Sequence, residues 1–429
     1  MRMRERVAPF AGIGDVGRAG LPVEVCASRV GRFGFVSKQL MRVQAARMPG
    51  TADWDFKAML GRQLWECAVH WGQWRERVAE LRGHEHLIDH HADGKLNDVF
   101  DELLCSRDDV EFAAGLYQVV LPAYREALQR YLDQTNPLVD QPTARLIRHV
   151  LIDLDEQLDF GRQALAALVS GATRECAKSV EAWSAHLQAY LDAAGGIDGA
   201  LPERPSFELP TPRSVGEFEM PREFARDARF KTVIPKLNPY TGESIREQLL
   251  SKMWVRSQEM TAAELCASVL YEWEDLPYEG CLDLARHCWD EVRHALFGEA
   301  ALAGEGIALE SLPNWVGYAG HTMPAPPQKR YAHLAIATEA NAMRHPGGKR
   351  GEWEWCRDAA QHPLMTLYQD FDWADEVNHV KYGRAWLVNY YFRGDRARAK
   401  AVADETVAER LAYYSAFEQT RADGSNAGY

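Results

Sequence analysis

Two stretches decide how this chain folds: Trp289-Asp-Glu-Val-Arg-His294 and Ala374-Asp-Glu-Val-Asn-His379. Each contains Asp-Glu-x-x-His. A helix turns about 100° per residue, so a glutamate and a histidine three apart sit about 60° from one another and can reach one metal ion from the same side. A four-helix bundle that holds two metals needs one such pair from each of two helices and a single glutamate from each of the other two. One Glu-x-x-His in a helical protein is usually a solvated ion-pair face. Two of them, each preceded by aspartate, call for a different explanation.

Both single glutamates are present. Glu264 lies in Met260-Thr-Ala-Ala-Glu-Leu-Cys266, on the helix before the first pair. The turn between these helices falls near Leu276-Pro277, nearly equidistant from Glu264 and Glu291, which sets the two level in an antiparallel hairpin. Glu259, five residues earlier, would sit about 140° round the helix and is the weaker candidate. Glu339, in Ala335-Ile-Ala-Thr-Glu-Ala-Asn-Ala342, precedes the second pair in the same way, among small residues that leave room for close packing or for a substrate. The expected ligands are therefore Glu264, Glu291, His294, Glu339, Glu376 and His379, with Glu291 and Glu376 bridging and Glu264 and Glu339 terminal. Four ionised glutamates facing one interior would repel strongly, and two divalent ions would compensate them. Oxygen and nitrogen ligands without thiolate suit iron or manganese better than structural zinc. Asp290 and Asp375 are placed to accept the outer ring proton of the opposite pair's histidine. His287 shares the face of Glu291 and His294 and is expected to be a hydrogen-bonded interior histidine beside the ligands, with lining an access channel or shuttling protons as the alternative.

Outside this constellation, the 429 residues exceed what one core usually serves. A proline-rich stretch at 199–244 reads as an extended connector between an N-terminal helical domain at 1–198 and a C-terminal domain at 245–429. Apolar residues recur at three and four on both sides of it, so the chain is expected to be all-α. Helices are predicted over 54–81, 108–132, 142–168 and 173–193, then over 245–273, 278–304, 329–343, 363–391 and 397–414. In the N-terminal half, Glu66 with His70, Glu126, and His149 with Asp153 hint at a second unit of the same kind whose site has decayed, although no Glu-x-x-His pair is repeated there. Packing on the catalytic half, or a homodimer contact, is its expected role. The histidines 84, 86, 90 and 91 lie with Gly83, Asp89, Asp93 and Gly94, as exposed loops do.

With 46% hydrophobic and 26% charged residues, the composition is that of a folded globular chain. A net charge of -13 with no basic run argues against nucleic acid. No stretch approaches a membrane span, and the start MRMRERVAPFAG lacks the apolar core of a secretory signal, so a cytoplasmic protein is expected. The eight cysteines form no CxxC pair and are expected to be reduced.

These residues resemble the ferritin-like superfamily, and within it most closely an uncharacterised branch. That branch shows paired glutamates like Glu259 and Glu264, then Asp-Glu-x-x-His like Asp290 to His294. Later come Glu-Ala, like Glu339-Ala340, and the run Asp-Glu-Val-x-His-Val-x-x-Gly-x-x-Trp that Asp375 to Trp386 reproduces. The resemblance spans the C-terminal half. It implies a ferritin-like four-helix bundle with a di-metal carboxylate site at the six residues named; the N-terminal half, outside the resemblance, is expected to be a plain helical domain or else a degenerate ferritin-like one. Related bundles range from iron storage to hydroxylation, desaturation and N-oxygenation, so the fold is implied more firmly than the reaction. The function expected is a non-haem di-iron or Mn/Fe oxidase or oxygenase that turns dioxygen on a small organic substrate. A separate reductase could supply electrons, since no flavin or nicotinamide fingerprint is present. A ferroxidase or metal-handling protein and a non-catalytic, metal-braced interaction module are the rival expectations.

Overall fold

The structure, a computed structural model, describes residues 7–84, 86–89, 94–170, 174–201, 209–216, 218–344 and 347–422. It is all-helical apart from one pair of three-residue strands. Two compact units emerge, one of Met1–Val43 with Glu66–Glu219, the other of Gln44–Trp65 with Met220–Tyr429. This division differs from the one expected at 198. The proline-rich stretch is not a free connector, because its two halves are bound into different units. Arg213 and Ser214 donate backbone N–H groups to the buried Glu102 at 2.9–3.0 Å, whereas Arg226 is buried against the second unit's Glu264.

Helices α1 (Val23–Arg47) and α2 (Trp54–Glu80) are each divided between the units. The first unit continues with α3 (Gly94–Leu104), α4 (Asp109–Ala114), a π-helical turn Gly115–Val120, α5 (Leu121–Gln134), α6 (Gln141–Leu168) and α7 (Arg174–Ala193). Asp108 caps α4 by accepting from the Glu111 N–H at 2.8 Å, and Pro142 stands in the first turn of α6, where its missing N–H costs nothing. Phe33, Trp74, Tyr124 and Tyr131 fill its core. The buried Tyr124 hydroxyl is satisfied there by Ser37 and by the Trp74 indole N–H. Here His70 pairs with Asp153 at 2.8 Å and Glu66 accepts from Gln157 at 2.8 Å. Glu66, His70, Glu126, His149 and Asp153 belong to no metal-sized group among the described residues. Of the histidine-rich loop, His90 and His91 and the side chain of His86 lie outside the described residues.

In the second unit, strand β1 (Lys231–Val233) pairs in parallel with β2 (Pro313–Trp315). The helices are α8 (Ile245–Ser257), α9 (Met260–Glu272), α10 (Tyr278–Gly304) and α11 (Pro327–Ala332). The last of these runs through a π-helical segment, His333–Glu339, into α12 (Ala340–Arg344). Then come α13 (Lys349–Asp358) and α14 (Pro363–Tyr382), which also ends in a π-helical segment, Gly383–Tyr391, and finally α15 (Arg396–Ala422). Helices α8 and α9 pack on α10, α10 on α14, α14 on the first π-helical segment, and α11 back on α9. Four helical stretches thus enclose one interior, and α15 lies outside against α11.

The stretch predicted as a single helix over 245–273 is broken at Gln258–Glu259. Gln258 anchors the break: its side-chain oxygen accepts from the Trp315 N–H at 2.7 Å. Beside it, α10 comes to backbone contact with α8 at Gly298, where a Cβ would lie 2.3 Å from the Ser257 nitrogen. Any larger residue would push the two helices apart. None of the eight cysteines is in a disulfide, and no described helix is long and apolar enough to cross a membrane.

Candidate metal centre

Helix α10 carries His287, Glu291 and His294, and α14 carries Asp372, Glu376 and His379. Spacings of i, i+4 and i+7 put each trio on one helix face, and α10 and α14 turn these faces toward each other. Glu339 enters from the end of a π-helical segment and Glu259 from the break between α8 and α9. π-helical turns inside α-helices are frequent at functional sites.

Three overlapping groups of ligand atoms result, each within 4.8 Å: His287, Glu291, Glu339 and His379; Glu259, His294 and Asp372; and Glu291, His294 and Glu376. In the first, His287 Nε2 lies 2.9 Å from Glu339 Oε1 and 3.6 Å from Glu291 Oε1, and His379 Nδ1 lies 3.3 Å from Glu291 Oε1. In the second, His294 Nδ1 is 3.5 Å from both Glu259 Oε2 and Asp372 Oδ1. Metal–ligand bonds of about 2.1 Å in tetrahedral or octahedral array separate neighbouring ligand atoms by roughly 3.0–3.4 Å, so these spacings need little adjustment.

Each histidine turns one nitrogen inward and the other toward an outer partner. His287 Nδ1 meets the Tyr331 hydroxyl at 3.2 Å, His379 Nε2 lies 3.5 Å from Asp290 Oδ2, and His294 Nε2 lies 3.3 Å from Asp375 Oδ2. The two aspartates are crossed between the helices, each facing the histidine of the other. Arg293 contacts both of them, at 2.8 Å to Asp375. Outer partners of this kind fix the orientation of ligating imidazoles.

Several of the buried atoms left without hydrogen-bond partners among the described residues converge here: Glu291 Oε1, His294 Nδ1, Glu339 Oε2, Glu376 Oε2 and His379 Nδ1. Leaving so many polar atoms unsatisfied in one interior costs a few kcal/mol each. A cation among them removes that cost. The groups differ in how far side-chain cations already do this. Lys349 Nζ reaches Asp372 at 2.9 Å and Glu376 at 2.7 Å, and Arg256 reaches Asp372 at 2.6 Å and Glu259 at 2.9 Å. Neither cation contacts Glu291 or Glu339 among the described residues. Burial raises the Glu376 carboxyl to about 7, despite Lys349, with Glu339 adding to the rise. Burial also acts on Asp372, but Arg256 and Lys349 outweigh it and hold that carboxyl at about 2. The first group is thus the less neutralised one.

The structure brings together Glu291, His294, Glu339, Glu376 and His379 and leaves Glu264 out. Glu264 is fully buried against Lys57 and Arg226, with Arg226 at 2.6 Å and 2.9 Å to its two oxygens. These cations come from segments that a self-contained domain at 245–429 would exclude. Glu259 takes the place expected for Glu264, because the helix break changes its angular position. His287 points its Nε2 into the first group instead of lining a channel. Lys349, Arg256 and Asp372 were missed. For Asp372 and His287 a signal existed, since each stands four residues before the glutamate of a pair; for Lys349 and Arg256 there was none.

Comparison with family models, with curated proteins and with solved structures gives no match to this chain.

Proposed function

We propose that the second unit is a di-metal carboxylate protein that activates dioxygen, with two iron ions, or manganese in one or both places. The observation that carries this reading is the convergence of unsatisfied buried ligand atoms into three adjoining groups, two of which share Glu291 and two His294. Five carboxylates, three imidazoles and no thiolate form an oxygen-rich set suited to iron and manganese. His287, Glu291, Glu339 and His379 would hold one ion. Glu259, His294 and Asp372 would hold the other, with Glu291 and Glu376 between them. Four helical stretches around one interior, with Glu-x-x-His on two facing helices, support a ferritin-like bundle. The third histidine and the position of Glu259 distinguish this site from the usual ligand pattern of such bundles.

Bound there in reduced form, such a metal pair would supply electrons to dioxygen. The chain supplies the rest: Asp290, Asp375 and Tyr331 hold the imidazoles in orientation, and full burial of His287, His294 and His379 keeps bulk water away. Two electrons from a substrate and two from a reductant complete the reduction of dioxygen to water, which gives a separate reductase its place. The test is oxygen uptake by the protein loaded with iron(II). Uptake by the wild type that is lost in Glu291→Ala supports the proposal, and equal uptake by both contradicts it.

A further inference from the structure

A cavity of about 420 Å³ lies between the two π-helical segments and α15, within the size range of small-molecule sites. Its walls are part apolar, with Ile336, Val380, Val388, Ala403 and Val407, and part polar, with Asn341 and Asp404. Its inner end is Ala335 and Gly383. Ala335 stands four residues before Glu339, and Gly383 four residues after His379, so this end lies about one helical turn from both ligands. Ala335 and Gly383 pack on one another there: a Cβ on Gly383 would fall 2.8 Å from that of Ala335.

The lining also carries Arg384, Arg396 and Lys400. Lys400 is paired with Asp404 one turn along α15. Arg384 and Arg396 have no carboxylate partner among the described residues. Two exposed guanidinium groups on a part-apolar cavity fit an anionic head with an apolar body, and the planar fork of arginine matches a carboxylate in particular.

We propose that this cavity binds an aliphatic carboxylate, its head held by Arg384 and Arg396 and its chain directed toward Ala335 and Gly383, as the substrate of the candidate centre. The substrate role rests on the di-metal reading, but binding in the cavity does not. Calorimetric titration of the full chain with decanoate and with decylamine tests the binding. Decanoate should bind and decylamine should not. The double variant Arg384→Ala/Arg396→Ala, altered only at exposed positions, should weaken decanoate tenfold or more while keeping its metal content. Ala403→Phe, which fills the cavity, should abolish binding. Failure of decanoate to bind the wild type, or equal binding by the double variant, overturns the proposal. In the protein loaded with cobalt(II), bound decanoate should shift the visible absorption bands. Bands that do not move while decanoate is bound overturn the substrate role and leave the metal reading standing. Absence of stoichiometric metal uptake overturns the metal reading and the substrate role together, and calorimetry then reports on the cavity alone.

Discussion

The rings of His287 and His379 stack face to face, with centroids 3.7 Å apart and planes 18° from parallel, although they come from different helices. Both direct a nitrogen at Glu291 and Glu339. The stack and these contacts place His287 in the same candidate group as His379. His287→Ala should therefore lower metal affinity by at least the 10–100-fold typical of lost outer partners, measured by competition with a chelator. Unchanged affinity would return His287 to the role of an interior histidine.

Glu259 and Glu264 should separate cleanly. Glu264→Gln leaves Lys57 and Arg226 buried without their counter-charge, at a cost of about 3–5 kcal/mol, yet should keep its metal content. Glu259→Gln should cost much less stability and weaken the second ion. Denaturant unfolding and elemental analysis of the two variants read both effects. The reverse pattern would restore Glu264 as a ligand.

This pair also shows where the sequence stops being legible. Helical periodicity located Tyr278–Gly304 to the residue and Pro363–Tyr391 as one helical stretch, because each buries a continuous face. The paired Glu-x-x-His motifs were visible because their spacing lies within single helices. What was not visible depends on distant chain. Glu264 is taken up by cations more than thirty residues away, at 57 and 226, and the break at Gln258 is anchored by Trp315. Lys349 reaches the centre from a helix, Lys349–Asp358, that was expected to be a loop. Local pattern carries no record of such long-range contacts.

Lys349 is paired with Asp372 and Glu376, which the proposed second ion would also need. Removing its charge in Lys349→Met should strengthen binding of that ion and leave the first unaffected. Titration with manganese should then show two sites closer in affinity than in the wild type. A weaker second site in the variant would mean that Lys349 supports the ion instead of competing with it.

Acid should destabilise the second unit through two histidines outside the centre. Burial, the largest influence on each, holds His321 at about 4 and His333 at about 3. Unfolded, each takes up a proton near 6.5. Below about 6.5 the unfolded chain binds more protons, so stability falls as pH drops, through His321 down to about 4 and through His333 down to about 3, and levels off below that. The double variant His321→Gln/His333→Gln should show a shallower fall in urea unfolding between pH 7 and 4.5. An unchanged slope would place the acid sensitivity elsewhere.

The central claim is that Glu291 joins two metal-binding groups in one buried site. Its most direct test is the metal content of the protein after reconstitution with iron(II) under anaerobic conditions and removal of unbound metal. About two ions per chain in the wild type, falling to one or fewer in Glu291→Ala with the helical fold retained, is the result predicted. Metal content well below one per chain, unchanged by Glu291→Ala, would contradict it and leave a helical interior neutralised by its own side chains.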